Sequence, residues 1–162
     1  MTVTARAAPP PNVRPVRTTD LLSVYRLERR CFDHPWPFSA FESHVDAPGF
    51  LVATVDGRLA GYVVGSVEDS FPGPRGHIKD LAVHPDYRRR GIARRLLSES
   101  LRRLRAEGAI GAMLEVRPSN ESAIALYRTV GFEAMRIREH YYQDGEAALV
   151  MSRSLRRSID IG

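Results

Sequence analysis

The 162-residue chain holds one cysteine, Cys31, and one lysine, Lys79. A lone thiol cannot build an internal disulfide framework or a thiolate zinc cluster, and it suits a reducing, cytoplasmic compartment. Beside Phe32 at the end of an amphipathic segment, Cys31 reads as a small buried side chain rather than a nucleophile. Long apolar runs are also missing. The longest, Ala123 to Tyr127 and Ala147 to Met151, have five residues each, against the roughly 20 of a membrane-spanning helix. The start, MTVTARAAPPPNV, lacks the apolar stretch of a secretory signal. Five histidines show no metal-ligand spacing, so no metal is expected. What is present, 43% apolar and 27% charged residues, fits one globular domain with a substantial core.

Charge is unevenly spread. The chain has 24 basic and 19 acidic residues for a net charge of +5, and every basic residue except Lys79 is arginine. A GC-rich coding preference explains arginine over lysine but not the clustering. Between positions 88 and 105 eight arginines meet one acid, Glu99, a local charge of +7 that leaves −2 for the rest. A near-neutral domain with one basic segment suits an anionic ligand. A nucleic-acid-binding module using the arginine-rich helix is the non-enzymatic alternative.

Patterning predicts an α/β domain. Residues 1–12, with Pro9 to Pro11, read as a flexible arm, 13–155 as the domain and 156–162 as a tail. Val13 to Val16 is an expected first strand, and Leu21, Leu22, Val24, Tyr25 and Leu27 give the next segment an apolar helix face. Ser39 to Val45 is a short second helix. Phe50 to Val55, Asp56-Gly57 and Arg58 to Val67 form a hairpin, and His77 to Val83 reads as a strand. Ile92, Leu96, Leu97, Leu101 and Leu104 recur at helical spacing until Gly108. Ala109 to Val116 is a buried strand and Glu121 to Val130 a short helix. Phe132 to Ile137 and Ala147 to Met151 close the sheet.

The stretch Leu81-Ala82-Val83-His84-Pro85-Asp86-Tyr87-Arg88-Arg89-Arg90-Gly91-Ile92-Ala93 is a strand, a tight basic loop and a helix start. Free N–H groups at a helix N-terminus, with the positive end of its dipole, suit a phosphate, and the arginines could complete the clamp. A solvated basic helix face is the competing view.

Arg88-Arg89-Arg90-Gly91-Ile92-Ala93 resembles the R/Q-x-x-G-x-G/A loop of the GCN5-related N-acetyltransferases, the GNAT superfamily. Leu114-Glu115-Val116-Arg117-Pro118-Ser119-Asn120, Ala123 to Tyr127, Val130-Gly131-Phe132 and Tyr141-Tyr142 follow in the order of its RimI and Ard1 type of protein N-terminal acetyltransferases. Cys31-Phe32 with Pro35-Trp36 resembles the same group's first loop. The likeness spans about Arg14 to Met151. It implies a single domain whose mixed, mostly antiparallel sheet is flanked by helices, with a splayed strand pair holding acetyl-CoA. The acceptor implied is a protein N-terminus, of a ribosomal protein or nascent chains. The expected assembly is a monomer or weak dimer, with no membrane partner.

The resemblance also implies roles. The main chain of Leu81, Ala82 and Val83 would meet the pantetheine arm, an N–H near Val83 would stabilise the oxyanion, and amides of Arg88, Arg89, Arg90, Gly91, Ile92 and Ala93 would hold the pyrophosphate. Asn120 matches a cofactor-contacting asparagine. Glu115 is the matching base for the amine, and it alternates with Leu114 and Val116, so it points away from a core that those two face. Tyr127, a phenol protonated at neutral pH, is the matching acid for the departing thiolate, with helix packing as its competing role. His77 lies eleven residues before Arg88 and competes with Glu115 for the base role. Phe32, Trp36 and Phe38 from one loop and Tyr141 and Tyr142 from another are candidates for an acceptor slot. Acetylation of a small amine is the alternative activity.

Overall fold

The computed structural model describes residues 9–156; residues 1–8 of the expected arm and 157–162 of the expected tail lie outside that range. Seven strands form one sheet: β1 (Asn12–Pro15), β2 (Leu51–Val55), β3 (Arg58–Glu68), β4 (Arg75–Val83), β5 (Gly111–Val116), β6 (Glu133–Arg138) and β7 (Ala148–Ser154), in the order β1-β2-β3-β4-β5-β7-β6. Every pairing is antiparallel except β4 with β5. Asn12 already pairs with Thr54, and Arg95 donates to the Pro11 carbonyl at 2.5 Å. Asn12, expected in the arm, is thus the first residue of β1.

Helices cover both faces. α3 (Ile92–Ala106) buries Ile92, Leu96, Leu97, Ser100, Leu101 and Leu104 in a stripe at helical spacing. With α4 (Glu121–Thr129) it covers the face that carries Leu51, Ala53, Val63, Ile78, Leu114 and Val116. The opposite face, with Val52, Tyr62, Val64 and Ala82, packs under α1 (Leu21–Cys31) and α2 (Phe38–Ser43). On α1 the buried positions are Leu21, Val24, Leu27 and Glu28, the first, fourth, seventh and eighth residues of the helix and so one face of it. Leu22 was expected on that face but is 50% exposed, because a helix turns 100° from Leu21 to its neighbour.

Two irregularities of β4 shape the centre of the sheet. The register with β3 jumps between Asp80 opposite Val64 and Ile78 opposite Gly65, leaving Lys79 as the extra residue of a bulge. A bulge breaks strict alternation. Ile78 consequently faces α3 while Ala82 joins the α1 side. The second irregularity is that β4 and β5 pair only over Arg75 to His77 with Gly111 to Met113. Beyond that point the parallel strands part, which is the splay implied by the resemblance.

Candidate active site

The parting exposes one edge of β4. His84 N–H donates to the Ala60 carbonyl at 2.8 Å, so the even-numbered residues at this end of β4 bond to β3 and the odd-numbered ones point the other way. Leu81 and Val83 thus present their main chain at the open edge. Ala82, expected to join them, turns its main chain to β3 and its side chain into the α1 core. Chemistry around the edge supports this orientation. Asp80 Oδ1 accepts the Leu81 N–H at 2.9 Å, and Arg88 Nε donates to the Val83 carbonyl at 3.1 Å. The half-buried Cys31 thiol lies 3.9 Å from the same carbonyl, and burial pushes its pKa up, as befits a packed thiol rather than a nucleophile.

After β4 a short 3-10 turn, Pro85–Tyr87, leads into the basic loop. Arg89 and Gly91 both have left-handed backbone, with φ of +62° and +75°. Glycine at 91 is explained by that angle rather than by crowding, since a Cβ there would meet nothing within 4 Å. Gly91 starts α3, whose first turn holds no acidic residue and, among the described residues, no side-chain cap. The amides of Ile92 and Ala93 are therefore available to an anion, although the Ile92 side chain is core. The N-terminus of α4 differs. Asn120 Oδ1 accepts the Ala123 N–H at 3.2 Å and Glu121 sits in the first turn, so Asn120 acts as a helix cap. Behind the loop, Arg102 and Arg103 pair with Glu99, which uses part of the basic surplus internally.

At the joined end of the splay, His77 Nε2 lies 2.7 Å from Glu115 Oε2 and His77 Nδ1 lies 3.5 Å from Glu68 Oε1. Leu114 and Val116 are buried under α3, so Glu115 points to the other face, as alternation predicts. Its side chain is only 8% exposed, that of His77 19%, and Arg138 Nη1 reaches within 3.7 Å of Glu115 Oε1. Burial raises the Glu68 pKa, but Lys79, at 3.3 Å, and His77 outweigh it and hold the carboxyl below its ordinary value.

Tyr127 packs from α4 with its ring edge-on to Phe132, centroids 6.1 Å apart. Burial, then the nearby Asp80 and Tyr142, push its phenol up to about 12. It stays protonated at neutral pH and packs against the core, which is the packing role the helix pattern offered.

The two aromatic groups expected near an acceptor fare differently. The rings of Tyr141 and Tyr142 meet edge to face at 4.9 Å, with Arg138 over the first and Arg117 over the second at 4.0 Å. Arg117 also pairs with Asp144 and Glu146, at 2.8 and 3.2 Å, which fixes this loop against the end of β5. Burial and then the nearby Glu115 carboxyl raise the Tyr141 pKa. Phe32 is exposed. Trp36 instead stacks with Phe41 and His44, at 5.4 and 5.6 Å, and Phe38 meets Tyr25 edge-on. Trp36 thus packs on α2, while Phe38 bridges α2 to α1 and stays 36% exposed.

Glu68, Arg138 and a buried group formed by Glu28, Tyr62 and Asp80 were not singled out in the sequence. Glu28 did carry a signal, since it falls seven residues after Leu21 on the apolar stripe of α1, where a carboxylate is costly. Among the described residues no group of three His, Cys, Asp or Glu side chains could hold a metal ion, and no helix is long and apolar enough to cross a membrane.

The sequence pattern of the Acetyltransferase (GNAT) family matches residues 21–132. The chain belongs to this family of acetyltransferases. It is 34% identical over 154 residues to an N-alpha-acetyltransferase of Sulfurisphaera tokodaii, an alignment covering 88% of this chain and 92% of that protein. It is 35% identical over 142 residues to the [ribosomal protein bS18]-alanine N-acetyltransferase of Escherichia coli K12, covering 85% and 93%. Among solved structures, Ard1 from Thermoplasma volcanium superposes with a TM-score of 0.83 at 28% identity, covering 91% of this chain and 99% of that one. The GNAT fold implied by the motifs is thus the fold observed, splay included.

Proposed function

We propose that this GNAT protein transfers the acetyl group of acetyl-CoA to the N-terminal α-amino group of a protein. The observation that carries the reading is the His77–Glu115 pair, 2.7 Å apart, at the fork where β4 leaves β5 beside the open edge of β4. Similarity to N-terminal acetyltransferases over more than four-fifths of the chain supports the acceptor class.

Acetyl-CoA supplies an activated acyl group and a thiolate leaving group, and the residues present suit it. Main-chain groups of Leu81 and Val83 are oriented to pair with an extended arm, as an added strand would. The amides of Ile92 and Ala93, with the left-handed turns at Arg89 and Gly91, suit a pyrophosphate. Asn120 would contribute through its amide nitrogen, since its oxygen caps α4.

An α-amino group has an ordinary pKa of about 8 and must lose its proton before attack. Glu115 is the proton acceptor, directly or through water, and His77 orients it. The Val83 N–H is the donor for charge developing on the acyl oxygen. Tyr127, raised to about 12, holds its proton until the thiolate takes it. Tyr141, Tyr142 and Phe32 line the acceptor entrance. The same reading puts the enzyme in the cytoplasm, where acetyl-CoA and newly made chains meet.

The test is to incubate the protein with acetyl-CoA and panels of alanine-, serine- and methionine-initiated peptides, acetyl-blocked lysine peptides and small polyamines. Acetylation of a free peptide α-amine is the expected result. Turnover of small amines alone would overturn the reading in favour of a small-molecule transferase.

A further inference from the structure

Beneath the open edge of β4 lies a polar group with no part in the chemistry above. Glu28, only 2% exposed on the inner face of α1, accepts the Trp36 N–H on Oε1 at 3.1 Å and the Tyr62 hydroxyl on Oε2. Tyr62, fully buried on β3, also lies 3.4 Å from Asp80 Oδ2. Asp80 Oδ1 in turn holds the Leu81 N–H at 2.9 Å. A continuous run of polar contacts therefore joins the backbone of the α1–α2 loop, at Trp36, to the open edge of β4, at Leu81. It spans a helix, a central strand and the bulged strand.

The placement depends on the bulge. Had β4 alternated without interruption, Asp80 would share the face of Ile78 under α3, out of reach of Tyr62. The run is also costly to bury. Two carboxyls share one phenol, and burial followed by the adjoining Glu28 carboxyl raises the Asp80 pKa well above its ordinary value. Burial of carboxyl groups without a cation is uncommon unless they are hydrogen-bonded throughout.

We propose that Glu28, Tyr62 and Asp80 are positioning residues that couple the donor edge of β4 to the acceptor loop between α1 and α2. A donor arm that pairs with Leu81 competes with Asp80 Oδ1 for the same N–H. Displaced from it, the Asp80 carboxyl has Tyr62 and Glu28 as its polar neighbours and closes on them. Tyr62 and Glu28 shift with it, and the Trp36 N–H, held by the other oxygen of Glu28, is held more tightly. Donor binding thereby orders the loop that carries Phe32 and Trp36 before the acceptor arrives. The inference rests on the acceptor side proposed above.

Amide hydrogen exchange of the full-length protein with and without CoA tests it, comparing wild type with Tyr62→Phe, Asp80→Asn and Asp80→Ala. CoA should slow exchange at residues 88–93 in all four proteins, and at Trp36 several-fold in wild type and Asp80→Asn only. Asparagine keeps an acceptor for Leu81 and a polar group for Tyr62 and Glu28, whereas alanine keeps neither. Exchange in the core of α3 and β7 reports that each variant is folded. With a peptide the wild type acetylates, Tyr62→Phe should raise the acceptor KM several-fold and change kcat less. CoA-dependent protection of Trp36 that survives in Tyr62→Phe, or equal behaviour of the two Asp80 variants, would overturn the coupling. So would protection at residues 88–93 with no change at Trp36 in wild type. A wild type that acetylates no peptide yet shows the Trp36 response overturns the proposed acceptor instead.

Discussion

Two acidic clusters meet strand β4, one on each side of the bulge, and their carboxyls have partners of opposite kinds. At the joined end, Glu115 has an imidazole at 2.7 Å and a guanidinium at 3.7 Å, and Glu68 has Lys79 at 3.3 Å. At the open end, Glu28 and Asp80 have a phenol and two backbone amides. Lys79 and His77 hold the Glu68 carboxyl below its ordinary value, whereas burial and the Glu28 carboxyl raise that of Asp80, which has no cation beside it. The two carboxyl pairs beside β4 thus suit the different tasks proposed for them, proton transfer at the first and alignment at the second.

Removing the proposed proton acceptor should produce the largest effect. Glu115→Gln keeps the shape of the first cluster and should lower kcat tens-fold or more with CoA affinity nearly unchanged, read by steady-state kinetics and calorimetry. Tyr127→Phe should cost a comparable factor in kcat for lack of the proton donor. Unchanged rates in both variants would remove the assignment. His77→Gln should cost less than Glu115→Gln and alter the pH–rate profile, because the imidazole orients the carboxylate. A larger loss in the histidine variant would make His77 the base.

The second cluster should register first in stability. Glu28→Ala strips the acceptor from both Trp36 and Tyr62, at a cost of about 1–3 kcal/mol in urea denaturation, with Glu28→Gln costing less. Asp80 offers a finer test through pH. Its folded-state pKa is raised by burial and by Glu28, so the native protein keeps a proton that the unfolded chain releases above about pH 4. Wild-type stability should therefore decline as pH rises through the folded-state value, while Asp80→Asn shows no such decline. Parallel pH–stability curves for the two proteins would mean that Asp80 is ordinarily ionised, and the contrast between the clusters would fail.

Much of this site could be read along the chain because its signals are local. The Ile92, Leu96, Leu97, Leu101 and Leu104 stripe gave α3, the Gly91 position gave its start, and Leu114-Glu115-Val116 gave the facing of Glu115. Other features depended on partners distant in sequence. Trp36 as an aromatic in a loop suits an acceptor slot, yet Phe41 and His44 draw it into packing. Asn120 fits a cofactor contact, yet its oxygen is taken by the Ala123 amide. Ala82 sits between two edge-facing residues, and only the pairing with Tyr62 on β3 shows that its main chain faces the other way. Glu28 was marked by its position on an apolar stripe, but nothing near it in sequence identifies Tyr62 and Asp80 as its neighbours.

The opening scarcities keep their meaning with a different emphasis. One cysteine excluded a disulfide framework, and in the structure that thiol packs beside the Val83 carbonyl at the open edge. The arginine surplus pointed to an anion, and the uncapped start of α3 gives it a place while Glu99 absorbs part of the remainder. Helical and strand periodicities, turn residues and a short loop motif suffice for family, element order and the facing of Glu115, because each is set within a few residues of chain. The splay between β4 and β5, the bulge at Lys79 and the two carboxyl clusters were decided by tertiary structure. They depend on strand register, which is set by packing between residues from 13 positions apart at the bulge to 38 at the His77–Glu115 contact and has no local counterpart in the sequence.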